Sequence, residues 1–150
     1  MTRAIVLQHA AFEGPAMLAR LLVHRGVSLD TRRLDQGDAL PKSLSANEML
    51  VVMGGPMGIG DLERPECSFL RDELRLLRWC VEHDAPVLGI CLGAQLLAFA
   101  AGAPVHPMTF DDGTRCFEVG WGHVDFHALN GSEPTLRGLS TRGRCVALAR

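Results

Sequence analysis

The sequence predicts an α/β domain built on a parallel sheet with helices on both faces. Short apolar runs alternate with segments of helical period. Those runs are continuously apolar rather than alternating, as strands buried on both faces require. Glycine and proline mark where the runs end.

The elements follow in order. Arg3 to Gln8 reads as a buried strand. Glu13-Gly14-Pro15 opens a helix, with Pro15 suited to its first position. Leu18, Leu21 and Leu22 are expected on its buried face, and Gly26 as its stop. Val27 to Leu34 reads as a weaker strand and Gln36 to Ser45 as loop. Met49 to Met53 is a third strand, ending at Gly54-Gly55-Pro56, and a Gly/Pro-rich loop follows to Pro65. Leu70, Leu74, Leu77 and Val81, at spacings of four, three and four, predict a helix and its core-facing stripe. Val87 to Ile90 is the fourth strand, and Leu92 to Ala101 a helix closing on Gly102. Phe117 to Phe126, with glycines among apolar residues, suits a strand or hairpin. Past Asn130-Gly131 no element is expected. Thr141 to Arg150 has neither helical nor strand logic.

With 150 residues, one domain with a real core is expected. The 15 basic and 17 acidic residues nearly cancel, which argues against nucleic acid or an anionic membrane as partner. No signal peptide is visible, and no apolar stretch is long enough to span a bilayer. The 5 cysteines include no C-x-x-C pair, so reduced thiols in a cytoplasmic protein are expected. Lys42 is the single lysine among the 15 basic residues, and tyrosine is absent. A compositional bias of the genome explains that skew better than a partner does.

The chemistry concentrates between Pro86 and Ala98. An apolar strand meets Cys91 between Gly89 and Gly93, and a helical pattern starts at once. This is the layout of a nucleophile elbow, a sharp strand-to-helix turn that holds a reactive side chain above a sheet. The sulfur would sit at a helix N-terminus, an environment that favours the attacking thiolate. The Leu92 N–H is a natural oxyanion donor, and Gly55 can supply a second because its backbone is unobstructed. Gln95 lies one helical turn beyond Cys91. The Gly54-Gly55 and Cys91 turns both leave strand carboxyl ends, so they are expected to face one crevice.

Gly54-Gly55-Pro56-Met57, then Gly89-Ile90-Cys91-Leu92-Gly93-Ala94-Gln95, then Glu118-Val119-Gly120 resemble the class I glutamine amidotransferases. The stand-alone members similar to the amidotransferase domain of GMP synthase are the best match. The resemblance runs from about Ala4 to about Phe126 and implies a flavodoxin-like parallel sheet. It implies that Cys91 attacks the glutamine side-chain amide, giving a glutamyl thioester and ammonia. Gly55 and Leu92 then form the oxyanion hole, while Gln95 and the Met57 backbone line the glutamine pocket. No cofactor or metal is implied. The implied partners are glutamine and a synthetase that accepts the ammonia.

The family's His-x-Glu pair has no counterpart here. None of the 6 histidines is followed two residues later by glutamate. His24 and His83 are expected on helices, facing solvent. His123 and His127, with Asp111 or Asp112, fit no standard metal spacing. Back-translated and read one base later, Thr141 onward permits Glu-Ala-Asp-Val-Leu-His-Trp-His-Gly, a run similar to what family members carry next. Residues 1–138 are therefore expected to form the N-terminal portion of the domain. Residues 139–150 would be an irregular, frameshifted tail, leaving the fold incomplete at its C-terminus. The expectation is a glutaminase impaired by loss of its base, with self-association through uncovered apolar surface around Leu96, Leu97, Phe99 and Ala100. Two alternatives stay open: a γ-glutamyl-amide hydrolase of the same fold, and a non-catalytic fragment or glutamine-binding module. A cysteine peptidase is disfavoured by Leu92, where such enzymes often place histidine.

Overall fold

A computed structural model describes residues 2–116, 118–125 and 142–149. The chain divides into two compact units, one up to Val105 and one from His106.

The first unit is a four-stranded sheet of order β2-β1-β3-β4, formed by Arg3–Gln8 (β1), Ser28–Arg33 (β2), Glu48–Val52 (β3) and Val87–Gly89 (β4). Every pairing is parallel. The three helices are Ala16–His24 (α1), Phe69–Glu82 (α2) and Leu92–Ala100 (α3). Alternation along the central strands splits their side chains between two cores. Ala4, Val6, Val51 and Met53 pack with Leu18 and Leu22 of α1. Ile5, Leu7, Leu50 and Val52 pack with Leu70, Leu77 and Cys80 of α2 and with Leu92 and Leu96 of α3. The expected doubly covered parallel sheet is thus observed at its centre. Gly26 and Gly102 follow α1 and α3 with φ of 77° and 86°, the left-handed region that glycine enters without strain.

Three expectations from periodicity are corrected. Leu21 is 56 % exposed, because α1 covers the sheet through Leu18 and Leu22 alone. Val81, in the last turn of α2, is 42 % exposed beyond the edge of the core stripe. In the fourth strand Leu88 and Ile90 are 40 % and 36 % exposed, since β4 lies at the edge of the described sheet.

In the second unit Glu118–Asp125 (β5) pairs antiparallel with Arg142–Ala149 (β6) over the whole of both strands. The first of these is the strand expected there. The second corrects the irregular reading of Thr141 to Arg150. Its register sets Val146 opposite Trp121 and Leu148 opposite Val119, so a distant partner supplies what local pattern lacked. Phe117, Phe126, His127 and the Asn130-Gly131 turn lie outside the described residues.

Candidate active site

Order β2-β1-β3-β4 has a switch point between β1 and β3, where the chain leaves the first strand in opposite directions. Crevices for ligands open there, beyond the carboxyl ends of the strands. Three carboxyl ends deliver the candidate residues: His9 after β1, Gly54-Gly55 after β3, and Cys91 after β4.

Cys91 has φ 53° and ψ −110°, a conformation that a residue with a side chain adopts only under strain. The flanking glycines make the turn possible. A methyl group on Gly89 would lie 2.6 Å from the Gly93 carbonyl oxygen, and one on Gly93 only 2.2 Å from that of Val52. The Gly93 N–H donates to the Ile90 carbonyl at 3.0 Å, and the Gln95 N–H to the Cys91 carbonyl at 3.1 Å, closing the elbow into α3. Cys91 is half-buried, as is Gln95.

The strain has a consequence for stability. Cys91→Gly relieves about 1–3 kcal/mol and gives back roughly 0.5–1 kcal/mol through a more flexible unfolded chain. Urea unfolding is expected to show the glycine variant more stable by about 1 kcal/mol. A lower midpoint would remove strain from the account of this turn.

The Gly54-Gly55 loop lies against the elbow, as expected. A methyl on Gly54 would lie 3.5 Å from Cys91 Cβ and 2.4 Å from Glu13 Oε2. One on Gly55 would meet Leu92 Cδ2 at 2.8 Å and His9 Cβ at 3.0 Å. Gly55 is thus held between the residue after the cysteine and the residue after β1. Met57 packs its side chain on the sheet's larger core.

Sequence reading missed His9 and Glu73. They are 3 % and 0 % exposed. His9 Nε2 lies 3.0 and 2.9 Å from the two Glu73 carboxylate oxygens. His9 Nδ1 lies 2.9 Å from the Gly54 carbonyl oxygen. Phe69 stacks on the imidazole with centroids 6.1 Å apart. Burial opposes protonation of His9, but Glu73, the Gly54 carbonyl and Glu13 outweigh it, so its pKa stands above the usual histidine value. One signal was legible: Glu73 falls on the same helical face as Leu70, Leu74 and Leu77, where a carboxylate needs a buried partner.

Two of the other described cysteines differ from Cys91, whereas Cys116 is half-buried like it. Cys67 and Cys80 are buried. Burial raises the pKa of both thiols, that of Cys80 to about 11. His24 and His83 are exposed, as expected, and His83 Nδ1 lies 2.8 Å from the Trp79 carbonyl oxygen.

A cysteine held in a strained strand-to-helix turn at the carboxyl end of a parallel strand, beside a glycine pair that follows the neighbouring strand, defines a nucleophile-elbow α/β protein. The chain belongs to the class I glutamine amidotransferases, whose family model matches residues 15–137. It is 36 % identical over 99 residues to YfeJ, a glutamine amidotransferase-like protein of Salmonella typhimurium, covering 65 % of this chain and 41 % of that one. It is 32 % identical over 127 residues to a GMP synthase (glutamine-hydrolyzing) of Phenylobacterium zucineum, covering 85 % of this chain and 21 % of that one. A glutamine amidotransferase structure from Thermotoga maritima superposes with a TM-score of 0.79 at 26 % identity, over 98 % of this chain and 60 % of that one. The chain therefore spans less than two thirds of the length of each of these relatives.

Proposed function

We propose that the chain carries the nucleophile half of a glutamine amidotransferase site, in which Cys91 attacks the side-chain amide carbon of glutamine. The carbonyl electron pair moves to oxygen, and the N–H groups of Gly55 and Leu92 stabilise that oxyanion. The amide nitrogen takes up the proton given up by the thiol, collapse expels it as ammonia, and a glutamyl thioester remains that water hydrolyses to glutamate and free thiol. Gln95 and the Met57 backbone line the glutamine pocket. The strained Cys91 turn, packed against the Gly54-Gly55 loop, carries this reading. By analogy with the relative named a glutamine-hydrolyzing GMP synthase, the ammonia passes to a synthetase partner; a cytoplasmic setting is part of the same proposal. No described helix is long and apolar enough to cross a membrane.

A base is still needed, and His9 is committed to Glu73 and Gly54. General-base assistance is worth roughly 10²–10⁴-fold. Residues 1–150 alone are therefore expected to turn over glutamine weakly, while a glutamine-derived diazoketone still alkylates Cys91 ahead of the other four cysteines, the half-buried Cys116 included. Peptide mass spectrometry after labelling, beside an ammonia assay, checks both points. Modification of Cys67 or Cys80 with Cys91 untouched would sink the assignment.

A further inference from the structure

The Gly54-Gly55 peptide is held from below by a joint that the reaction itself does not require. A carbonyl oxygen only accepts, so the 2.9 Å contact to Gly54 means that His9 Nδ1 carries hydrogen and donates. The ring cannot turn away, because its Nε2 is gripped by both Glu73 oxygens and its face by Phe69. This arrangement holds whether the proton between Nε2 and Glu73 sits on nitrogen or on oxygen. In a trans peptide the C=O and the following N–H point in opposite directions. Anchoring the Gly54 carbonyl on His9 therefore turns the Gly55 N–H away from the imidazole. Gly55 has no room to rock, being packed between His9 Cβ and Leu92 Cδ2. The joint unites four elements: the end of β1, the loop after β3, the middle of α2 and the start of α3.

We propose that His9 and Glu73 are a positioning pair for the oxyanion hole: His9 anchors the Gly54 carbonyl, and Glu73 holds the imidazole in place, so that the Gly55 N–H is preset toward the oxygen of the substrate carbonyl. The proposal rests on the amidotransferase reading of Cys91 and Gly55 given above. Neither residue touches substrate. Their contribution is preorganisation, which gives hydrogen-bond donors their advantage over water.

Two reactions of Cys91 separate this role from mere support of the fold. With the γ-(4-nitrophenyl) ester of glutamate, Cys91 Sγ attacks the ester carbon as its proton passes to buffer. The carbonyl pair moves to oxygen, then returns as 4-nitrophenolate leaves, giving the glutamyl thioester. With iodoacetamide the sulfur displaces iodide in one step, and no oxyanion forms. The ratio of the two rates, corrected with Cys91→Ala, reads oxyanion stabilisation rather than access to the thiol.

Two double variants carry the test, each with Glu73→Gln so that no carboxylate is left buried without a partner. His9→Gln places its amide nitrogen where Nε2 was and loses the donor to Gly54. His9→Asn places its amide nitrogen where Nδ1 was and keeps that donor. The expected result is that His9→Gln/Glu73→Gln acylates roughly 10²-fold more slowly than the unaltered chain, near the low end of the cost of losing an oxyanion donor. Its iodoacetamide rate is unchanged, and His9→Asn/Glu73→Gln recovers most of the acylation rate. Equal slowing of both reactions, or equal acylation by the two variants, overturns the proposal and leaves the amidotransferase reading standing. Absence of any Cys91-dependent release of 4-nitrophenolate from the unaltered chain removes both. Should a variant not fold, the unaltered chain supplies a further check by proton NMR. A slowly exchanging imidazole Nδ1–H is expected for His9, and a rapidly exchanging one overturns the anchor.

Discussion

Gly93→Ala is expected to destabilise the first unit by about 3 kcal/mol, the upper end of the cost of overpacking, and to abolish diazoketone labelling of Cys91. The added methyl would lie 2.2 Å from the Val52 carbonyl oxygen and 2.8 Å from its carbonyl carbon. Neither can yield. Val52 is fully buried in the central strand β3, and its carbonyl also accepts the Ile90 N–H at 2.9 Å. The start of α3 must move instead, carrying with it Leu92, which is 1 % exposed, and the cysteine beside it. Gly60→Ala is the control, because nothing lies within 4 Å of a methyl there. Its unfolding midpoint should stay within about 0.5 kcal/mol of the unaltered chain. Denaturant unfolding of the two variants checks the contrast, and equal midpoints would refute the close packing of elbow on strand.

Glu73→Ala is expected to cost about 3–5 kcal/mol, the usual result of stripping one partner from a buried ion pair. The loss reflects the histidine left behind more than any large net gain from the pair, so Glu73→Gln should cost clearly less. The effect depends on pH, and its sign follows from the raised pKa of His9. A histidine whose folded pKa exceeds its unfolded value contributes fully below about 6.5 and loses that contribution as pH rises through the folded value. The groups that set this balance are Glu73 from α2, the Gly54 carbonyl from the loop after β3, and Glu13 from the loop after β1. The stability gap between the unaltered chain and Glu73→Ala should therefore narrow as pH is raised above that range. Melts at a series of pH values check it. A gap that stays flat or widens with pH would mean that Glu73 does not hold the His9 pKa up.

Two features of this site run against stability. The elbow holds Cys91 in a conformation that glycine would adopt more easily, and the His9–Glu73 pair buries two ionisable groups against the hydrophobic core. Both features tie the cysteine and the Gly54-Gly55 loop to one rigid frame of strands. In the proposed reaction, where two backbone N–H groups meet one oxygen, such rigidity is an advantage.

Features that depend on neighbours in the chain were determined by the sequence itself. Apolar runs and helical periods placed β1, β3, α2 and α3 to within a residue or two, and the spacing around Cys91 marked the elbow. Glycine's lack of a side chain is a local property, so Gly26, Gly89, Gly93 and Gly102 could be read without a fold. Features that depend on who meets whom were decided by tertiary structure alone. His9 and Glu73 stand 64 residues apart, and only the parallel order β2-β1-β3-β4 with α2 laid across it brings them together. Leu21 and Val81 carry the right period for burial, yet which turn of a helix is covered depends on how much sheet lies beneath it. Arg142–Ala149 has no strand pattern of its own and becomes one because β5 offers a complete ladder of backbone donors and acceptors. Hydrogen-bonded pairing and burial are properties of two surfaces, and one stretch of sequence encodes only one of them.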